Sequence, residues 1–444
     1  MVMAKHALLS ESGCDVLIVG AGLAGLSTAW HMRNSGKTIR IIEATDRVGG
    51  LTKTSEDRGF RFDNVGHLFH LRDDSIKRWI VGDLFGGKLP RLDRVSRVWS
   101  SGVYTRYPFQ ANTYGLPEEV ASECIEEYLK VLEHPPKKKV RTAEDFIYKH
   151  FGKGFAKHFM IPYNQKLWGV HPKYMTAEWG ERFIPIPKKE DVLAGAKLNP
   201  DPKLGYNSNF FYPAWGAGEV AEHIHAALPY PNVEFNVALR FVDLEKKIAT
   251  LSTGERLRYK HLVSTAPLPE LVKGLRTLSL MITKNAKLLK CRPLPYLDIA
   301  LNVPARQEYQ WCYVPSPKVP FYRVVIYSNL SSLNAPKGKS SLCVELASRR
   351  YNKRMLPKIL DGLKKMRLIK GKVDIKFISP KFIKYAYVIY DQNHSKVVPI
   401  ILKTLAKNGV HSIGRWGAWN YSSMEDALIM GRDAASKIFN IRAT

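Results

Sequence analysis

Gly20, Gly22 and Gly25 stand in the spacing G-x-G-x-x-G, and an acid, Glu43, follows them. These residue types in this order suit the binding of a dinucleotide. One glycine makes a tight turn, one lets a pyrophosphate approach the backbone, and one lets a helix pack closely on a strand. An acid ~20 residues further on accepts from a ribose hydroxyl. The bland alternative is a glycine-rich turn that holds no ligand. The flanking elements argue against it. Residues 16–19 read as a buried strand, 23–34 as a helix whose N-terminus would face the phosphates, and 38–42 as a second strand ending at Glu43.

The chain continues Arg47-Val48-Gly49-Gly50-Leu51-Thr52. An E-x(3)-R-x-G-G tail resembles the FAD-binding fingerprint of the glutathione reductase and amine oxidase superfamily. FAD rather than NAD rests on this tail: two glycines admit the flavin diphosphate and ribityl chain, and Arg47 adds charge. Phe60 and Phe62 then alternate as a strand, followed by a turn, Asn64-Val65-Gly66-His67. In flavin folds such a turn passes under the isoalloxazine ring, near N5. For His67 the competing reading is a packed loop histidine.

The elements that must position these residues occupy 444 residues, enough for two or three domains. No apolar run reaches the ~18 residues that span a bilayer. The first thirteen residues, MVMAKHALLSESG, lack a convincing apolar core and cleavage site and read as a short disordered leader. Cys14, Cys124, Cys291, Cys312 and Cys343 are odd in number and spread out, with no C-x-x-C. That indicates neither a disulfide framework nor a zinc site, and fits a reducing cytoplasm. The net charge of +28 is concentrated in runs such as Lys137-Lys138-Lys139 and the span 353–384. It implies a solvated basic surface, or contact with an anionic membrane or polymer, with some attraction for an anionic substrate. No nucleic-acid-binding module is evident.

Helical patterns begin at Pro117, with Val120, Cys124, Tyr128 and Leu132 at helical spacing, and again at Thr142-Ala-Glu-Asp, which has capping-box character. Residues 105–205 therefore read as a helical insertion. Residues 185–207, rich in Pro, Lys, Gly and Asn, read as a mobile loop over a site. Residues 206–290 return to α/β, with a helix to about residue 227, a strand at 233–239, a hairpin around Gly254 and a strand at 260–267. Short β-type runs between Pro, Gly, Asn and Ser make 291–384 an antiparallel sheet. Residues 385–444 close the chain with a strand, a turn at His411 to Gly417 and a helix at 422–439. The expected fold is α/β: a Rossmann-like FAD-binding domain (1–104, 206–290 and 385–444) with an inserted helical domain and an antiparallel sheet domain.

Scattered blocks in the two insertions add a resemblance that runs from Asp15 to Phe439. They are YPFQ-x-N at 107–112, F-M-x-P-Y-N-x-K-x-W at 159–168 and W-x-E-R at 179–182. They continue with W-x-Y-x-P at 311–315, F-Y-R at 321–323 with Ser328-Asn329, and G-R-W-G-x-W-x-Y at 414–421. Together these resemble UDP-galactopyranose mutase, nearer to the eukaryotic type in several stretches. The resemblance implies interconversion of pyranose and furanose forms of a UDP-sugar with no net redox change, reduced flavin N5 acting as the nucleophile. NADH or NADPH is a candidate reductant.

By the same resemblance Arg182 and Arg323 hold the diphosphate, fixed guanidinium forks suiting that task. Tyr313, Tyr421 and Tyr387 donate to the same oxygens. Tyr107, Gln110, Phe159 and Asn164 match a uracil pocket, and Trp168 and Asn207 line the sugar side. His67 lies at the flavin. Gly20, Gly22, Gly25, Glu43, Arg47, Gly50, Leu51, Gly66, Val237 and Arg415 are the cofactor contacts, Val237 beside the adenine. Three positions depart from the family: Val65 replaces a glycine, Val388 a proline, and Met424-Glu425-Asp426 a more amide-rich stretch. Two rivals stand beside this reading. One is an FAD-dependent oxidoreductase of the amine oxidase or protoporphyrinogen oxidase type. The other is a non-catalytic FAD-binding scaffold.

Overall fold

A computed structural model describes residues 12–197, 208–229, 233–276 and 279–439. The strand Ser12–Val19 sits inside the first sheet because both its faces are apolar. Val16 and Ile18 feed one core and Leu17 and Val19 another, the pattern of a parallel strand covered on both sides. It pairs in parallel with Ile39–Glu43 and with Arg256–Ser264. Glu234–Phe235 extends the parallel pairing past Ile39–Glu43, and Val410–Ser412 pairs in parallel with Arg256–Ser264. Ile248–Leu251 and Leu239–Asp243 continue as antiparallel strands, with Leu275–Arg276 at the edge. The helix Leu23–His31 covers one face, packed along the C-terminal helix Met424–Phe439. It stops at His31, three residues before the expected end.

The second sheet runs in the order Ile375–Val388, Cys291–Leu301, Ser340–Leu346, Phe321–Ile326, Trp311–Tyr313, Ser96–Ser100 and Val103–Arg106. This changes one expectation. Residues 96–106, expected in the FAD-binding domain up to 104 and in the helical insertion beyond it, join this sheet, because Val98 and Trp99 need an apolar partner surface. The strands of 291–384 pair antiparallel with one another as expected, and Ser96–Ser100 makes the sheet mixed by pairing in parallel with Trp311–Tyr313. Its inner residues, among them Leu297, Ile299, Val324 and Val344, make a third core with Ile359 and Leu363 of the helix Leu356–Lys365.

Helices Glu118–Glu133, Ala143–Phe155, Ile161–Trp168 and Glu178–Phe183 fill the insertion as expected. Thr142 and Asp145 form both bonds of the capping box. The segment expected to be a loose loop differs over its first half. Lys189–Lys197 is a helix, tied to the insertion by a hydrogen bond from Tyr114 N to Gly195 O (2.9 Å), and the residues leading into it are held by bonds from Gln110 to Pro185 O (3.0 Å) and from Tyr128 to Pro187 O (3.1 Å). The remainder of that segment, 198–207, lies outside the described residues. The expected strand at 233–239 is interrupted at Asn236, whose φ of +58° turns the chain between Glu234–Phe235 and Leu239–Asp243.

Candidate functional site

A cavity of about 740 Å³ runs from the carboxyl ends of the parallel strands to the second sheet. Its first end is built on Gly20, Gly22 and Glu43. Gly20 has φ +99°, and a Cβ there would lie 2.1 Å from Thr265 Oγ1, so only glycine makes this turn. A Cβ on Gly25 would lie 2.0 Å from Gly20 O, so helix and strand touch through bare backbone. The helix Leu23–His31 has no side-chain cap and no acid in its first turn, which leaves its N–H groups for an anion.

Glu43 ends its strand with the carboxylate already oriented. Oε2 accepts from Ala21 N (2.9 Å) and Oε1 from Thr45 N and Oγ1 (3.0 and 2.6 Å). Gly49 N donates to Ala21 O (2.9 Å), which lays the Gly49-Gly50-Leu51 turn along the glycine loop. Val237 closes this end, its N–H bonded to Glu43 O (2.9 Å). Lys53 reaches Thr45 Oγ1 and adds a cation that the sequence reading missed; burial lowers its pKa. Arg47 turns away, donating to Thr54 O (2.7 Å), and does not line the cavity.

The turn at Asn64 to His67 forms the middle of the cavity. Gly66 rests on Val325 of the second sheet, where a Cβ would lie 3.1 Å from Val325 Cγ2. Val65, the departure noted above, has φ +61°, a left-handed conformation that a β-branched residue rarely takes. His67 is half-buried, with Nδ1 3.3 Å from Val65 O. Burial, and next the charge of Arg415, hold its pKa down at about 4, so the ring is neutral at pH 7. This elongated groove, with bare glycine backbone, an uncapped helix end and an oriented acid at one end, fits an FAD.

Arg323, Tyr313, Tyr387, Tyr421, Arg415 and Arg94 meet at the far end. Arg323 is bidentate to buried Glu345, Nε to Oε1 at 2.7 Å and Nη2 to Oε2 at 2.9 Å, and its Nη2 also reaches Tyr387 Oη at 3.4 Å. Tyr322 donates to the same carboxylate (2.5 Å). Behind Tyr322 stands Arg292, fully buried, whose guanidinium donates only to Leu167 O and Leu346 O among the described residues. Burial pushes the Tyr387 phenol up to about 12, with Arg323 acting in the opposite sense. Arg415 donates to Ser422 O and Ala386 O (2.8 and 3.0 Å), and its guanidinium carbon lies 4.5 Å over the Tyr421 ring. Arg94 donates to Tyr313 Oη (3.2 Å) and lies over the Tyr107 ring (4.3 Å).

Other expected contacts stand behind the wall rather than in it. Trp168 is fully buried, edge-on to Tyr387 and Tyr421 with centroids 5.6 Å away in each case, so it props the two tyrosines. Phe159 is stacked between Phe109 and Tyr163 (4.9 and 5.2 Å). Gln110 is bonded to Pro185 O, and Asn164 to Met160 O (2.8 Å). Tyr107 packs against Tyr313 at 4.7 Å. None of these five lines the cavity: Phe159, Gln110 and Asn164 are held within the helical insertion, and Tyr107 and Trp168 pack behind tyrosines that do line it. Arg182 lies on the helix Glu178–Phe183. Its side chain and residue 207 lie outside the described residues.

In the Met424-Glu425-Asp426 departure, Met424 and Asp426 line the cavity while Glu425 turns inward. There it pairs with Arg72 (3.1 Å) and accepts from the Arg72 and Asp73 backbone. Glu345 and Arg94 were not singled out from sequence. An acid within the otherwise apolar run LCVEL is the signal that marks Glu345. Among the described residues no group of three or more His, Cys, Asp or Glu could hold a metal ion, and no helix is long and apolar enough to cross a membrane.

Glycine backbone and an uncapped helix at the carboxyl ends of parallel strands define a dinucleotide-binding Rossmann protein. A family model described as an NAD(P)-binding Rossmann-like domain matches residues 18–81. The chain is UDP-galactopyranose mutase-like, with distant amine oxidase relatives. It is 25% identical over 202 residues, 43% of the chain, to the "Probable UDP-galactopyranose mutase" of Klebsiella pneumoniae, and spans 50% of that protein's length. It is 38% identical over 56 residues, 13% of the chain and 11% of the relative, to flavin-containing amine oxidase B of Bos taurus. The crystal structure of reduced UDP-galactopyranose mutase matches with a TM-score of 0.89 and 25% identity, covering 97% of this chain and 96% of that one.

Proposed function

We propose that the chain is an FAD-dependent isomerase that interconverts the pyranose and furanose forms of a UDP-sugar. The observation that carries this reading is a single cavity joining the dinucleotide groove to a chamber of arginine and tyrosine donors. Reduced FAD, when bound, supplies an electron-rich nitrogen at the reacting carbon. The chain's own residues do the rest. Gly20, Gly22, Gly50 and the uncapped helix hold the cofactor diphosphate, and Glu43 its ribose. Arg323, locked by Glu345, Tyr322 and Tyr387, presents Nη1, which has no hydrogen bond among the described residues. With Tyr313, Tyr387 and Tyr421 it stabilises the charge that gathers on a departing nucleoside diphosphate. Arg182 is proposed as the second arginine from the W-x-E-R match in the sequence alone, its side chain lying outside the described residues. His67, kept neutral, takes or gives a hydrogen bond without adding a positive charge beside the cofactor.

One observation favours the redox rival: Glu345 already neutralises Arg323, so that pair brings no net charge to a diphosphate. The experiment that separates the two is an anaerobic assay of reduced protein with several UDP-hexopyranoses. The mutase reading expects a UDP-furanose without stoichiometric use of reductant or oxygen, and no turnover by the oxidised protein. An oxidoreductase would work from the oxidised state and consume one acceptor per turnover. Absence of any furanose product from reduced protein would reject the isomerase reading for those sugars.

A further inference from the structure

Two stretches of the chain, 271–297 and 392–424, contain no acidic residue. The fold places their helices side by side. Leu280–Ala286 packs against Gln392–Lys407, and both rest on one core through Ile282, Ala286, Val397, Val398 and Ile401. With the inner faces occupied, the outer faces carry large apolar residues into solvent. Leu280 is 70% exposed, Met281 62%, and Leu288 and Ile400 44% each. Around them stand Lys284, Lys287, Lys396 and Lys403, all exposed and making no ion pair among the described residues. Ile400 lies four residues after Lys396 and three before Lys403, so cation and apolar tip share one side of the helix. The acids at the borders are committed: Asp391 pairs with Lys290 (3.1 Å) and caps the second helix through Asn393 N and His394 N, and Glu270 pairs with Lys384 (2.9 Å) and accepts from Tyr385.

Scattered exposed apolar residues need no explanation, but three on adjoining acid-free helices and a fourth, Leu288, just past the first, ringed by lysines with no ion pair among the described residues, have the composition of an interfacial surface. We propose that this face docks on an anionic lipid bilayer. The lysine ammonium groups would meet lipid phosphates while Leu280, Met281, Leu288 and Ile400 enter the headgroup boundary. Charge selects this occupant. A second copy would set lysines against lysines on a chain already at +28, whereas an anionic leaflet attracts each basic residue at its surface.

The test uses the full chain, sedimented with vesicles of phosphatidylcholine alone or mixed with phosphatidylglycerol. Binding is expected only to the mixed vesicles and should weaken as salt rises. The double variant Lys284→Gln, Lys287→Gln should bind about 25-fold more weakly, roughly fivefold per lysine. Leu280→Gln with Met281→Gln should also weaken binding and should restore part of the salt sensitivity that insertion removes. All four side chains are exposed, so both variants should melt with the parent. Failure to bind mixed vesicles would overturn the proposal. So would equal binding by parent and both variants, which would assign the contact to other basic surface. Self-association that disappears in Leu280→Gln, Met281→Gln without vesicle binding would make the face an interface between copies instead.

Discussion

Arg323 and Glu345 show how a site residue depends on one the sequence reading passed over. The arginine was legible as part of F-Y-R. Its partner lies 22 positions away on the neighbouring strand, and strand register is a tertiary fact that one sequence does not print. Arg323→Ala should leave FAD bound and weaken UDP binding by roughly tenfold or more, since a charged hydrogen bond contributes about 1.5–3 kcal/mol. Titration calorimetry measures it, and unchanged UDP affinity would remove Arg323 from the clamp. Glu345→Gln leaves the largely buried Arg323 guanidinium without its counter-charge. It should cost about 3–5 kcal/mol of stability by denaturant unfolding. His67 gives a second prediction. Its folded pKa, about 4, lies below the ordinary histidine value of 6.5. Between those values the unfolded chain binds a proton that the folded chain refuses. The stabilisation is therefore complete above pH 6.5 and is lost as pH falls to 4, on the order of 3 kcal/mol in all. His67→Asn should flatten the pH dependence of unfolding over that window. Imidazole NMR of the parent should show no protonation of His67 between pH 5 and 8.

At the scale of elements, the βαβ start was legible because three constraints coincide there: apolar strands, glycine spacing and a terminal acid. The Gly20 turn and the Gly25 contact are backbone approaches that residue type alone reports. Gly25→Ala should show how narrow that approach is. Its Cβ would meet Gly20 O at 2.0 Å, a backbone atom that cannot swing aside. Overpacking of this kind costs about 1–3 kcal/mol, and it distorts the loop that holds the cofactor diphosphate. The purified variant should carry less than a tenth of the parent's flavin, read by absorbance; that fraction is an order-of-magnitude expectation from the same cost. Full flavin content would show that the contact can relax. Elsewhere local pattern misled. Residues 189–197 looked like loop because Pro, Lys and Gly are frequent around them, yet packing on Ala111 and Asn112 supports a helix. Residues 96–104 were given to the FAD-binding domain and 105–106 to the helical insertion by chain order. Their partners, 311–313, come some two hundred residues later, a pairing no local pattern announces.

At the scale of the molecule, the two sheets were each readable, but the cavity that joins them was not, because it is a property of their packing. Val19, Gly20 and Glu43 line it from the first sheet, and Leu294, Arg323 and Ile383 from the second. A cofactor bound there touches both layers and the turn between them, so its binding energy should count toward folding. The unfolded chain has none of this arrangement and no affinity to match. Adding FAD to cofactor-depleted protein should therefore raise the melting temperature in a concentration-dependent way, by the equivalent of about 2.7 kcal/mol at a hundredfold excess over Kd. Differential scanning fluorimetry across an FAD series checks it, with NAD as the control. Both cofactors carry a diphosphate and an adenosine, so the glycine loop and Glu43 would accept either. The ribityl and isoalloxazine arm of FAD is longer than the nicotinamide riboside of NAD and would reach further along the groove past Gly66 and His67, so the FAD shift should exceed the NAD shift clearly. Equal shifts would mean that the Rossmann end alone provides the affinity and that the turn at Gly66 and His67 contributes nothing to holding the flavin. A larger NAD shift would overturn the assignment of the groove to FAD and with it the flavin-dependent reading of the site.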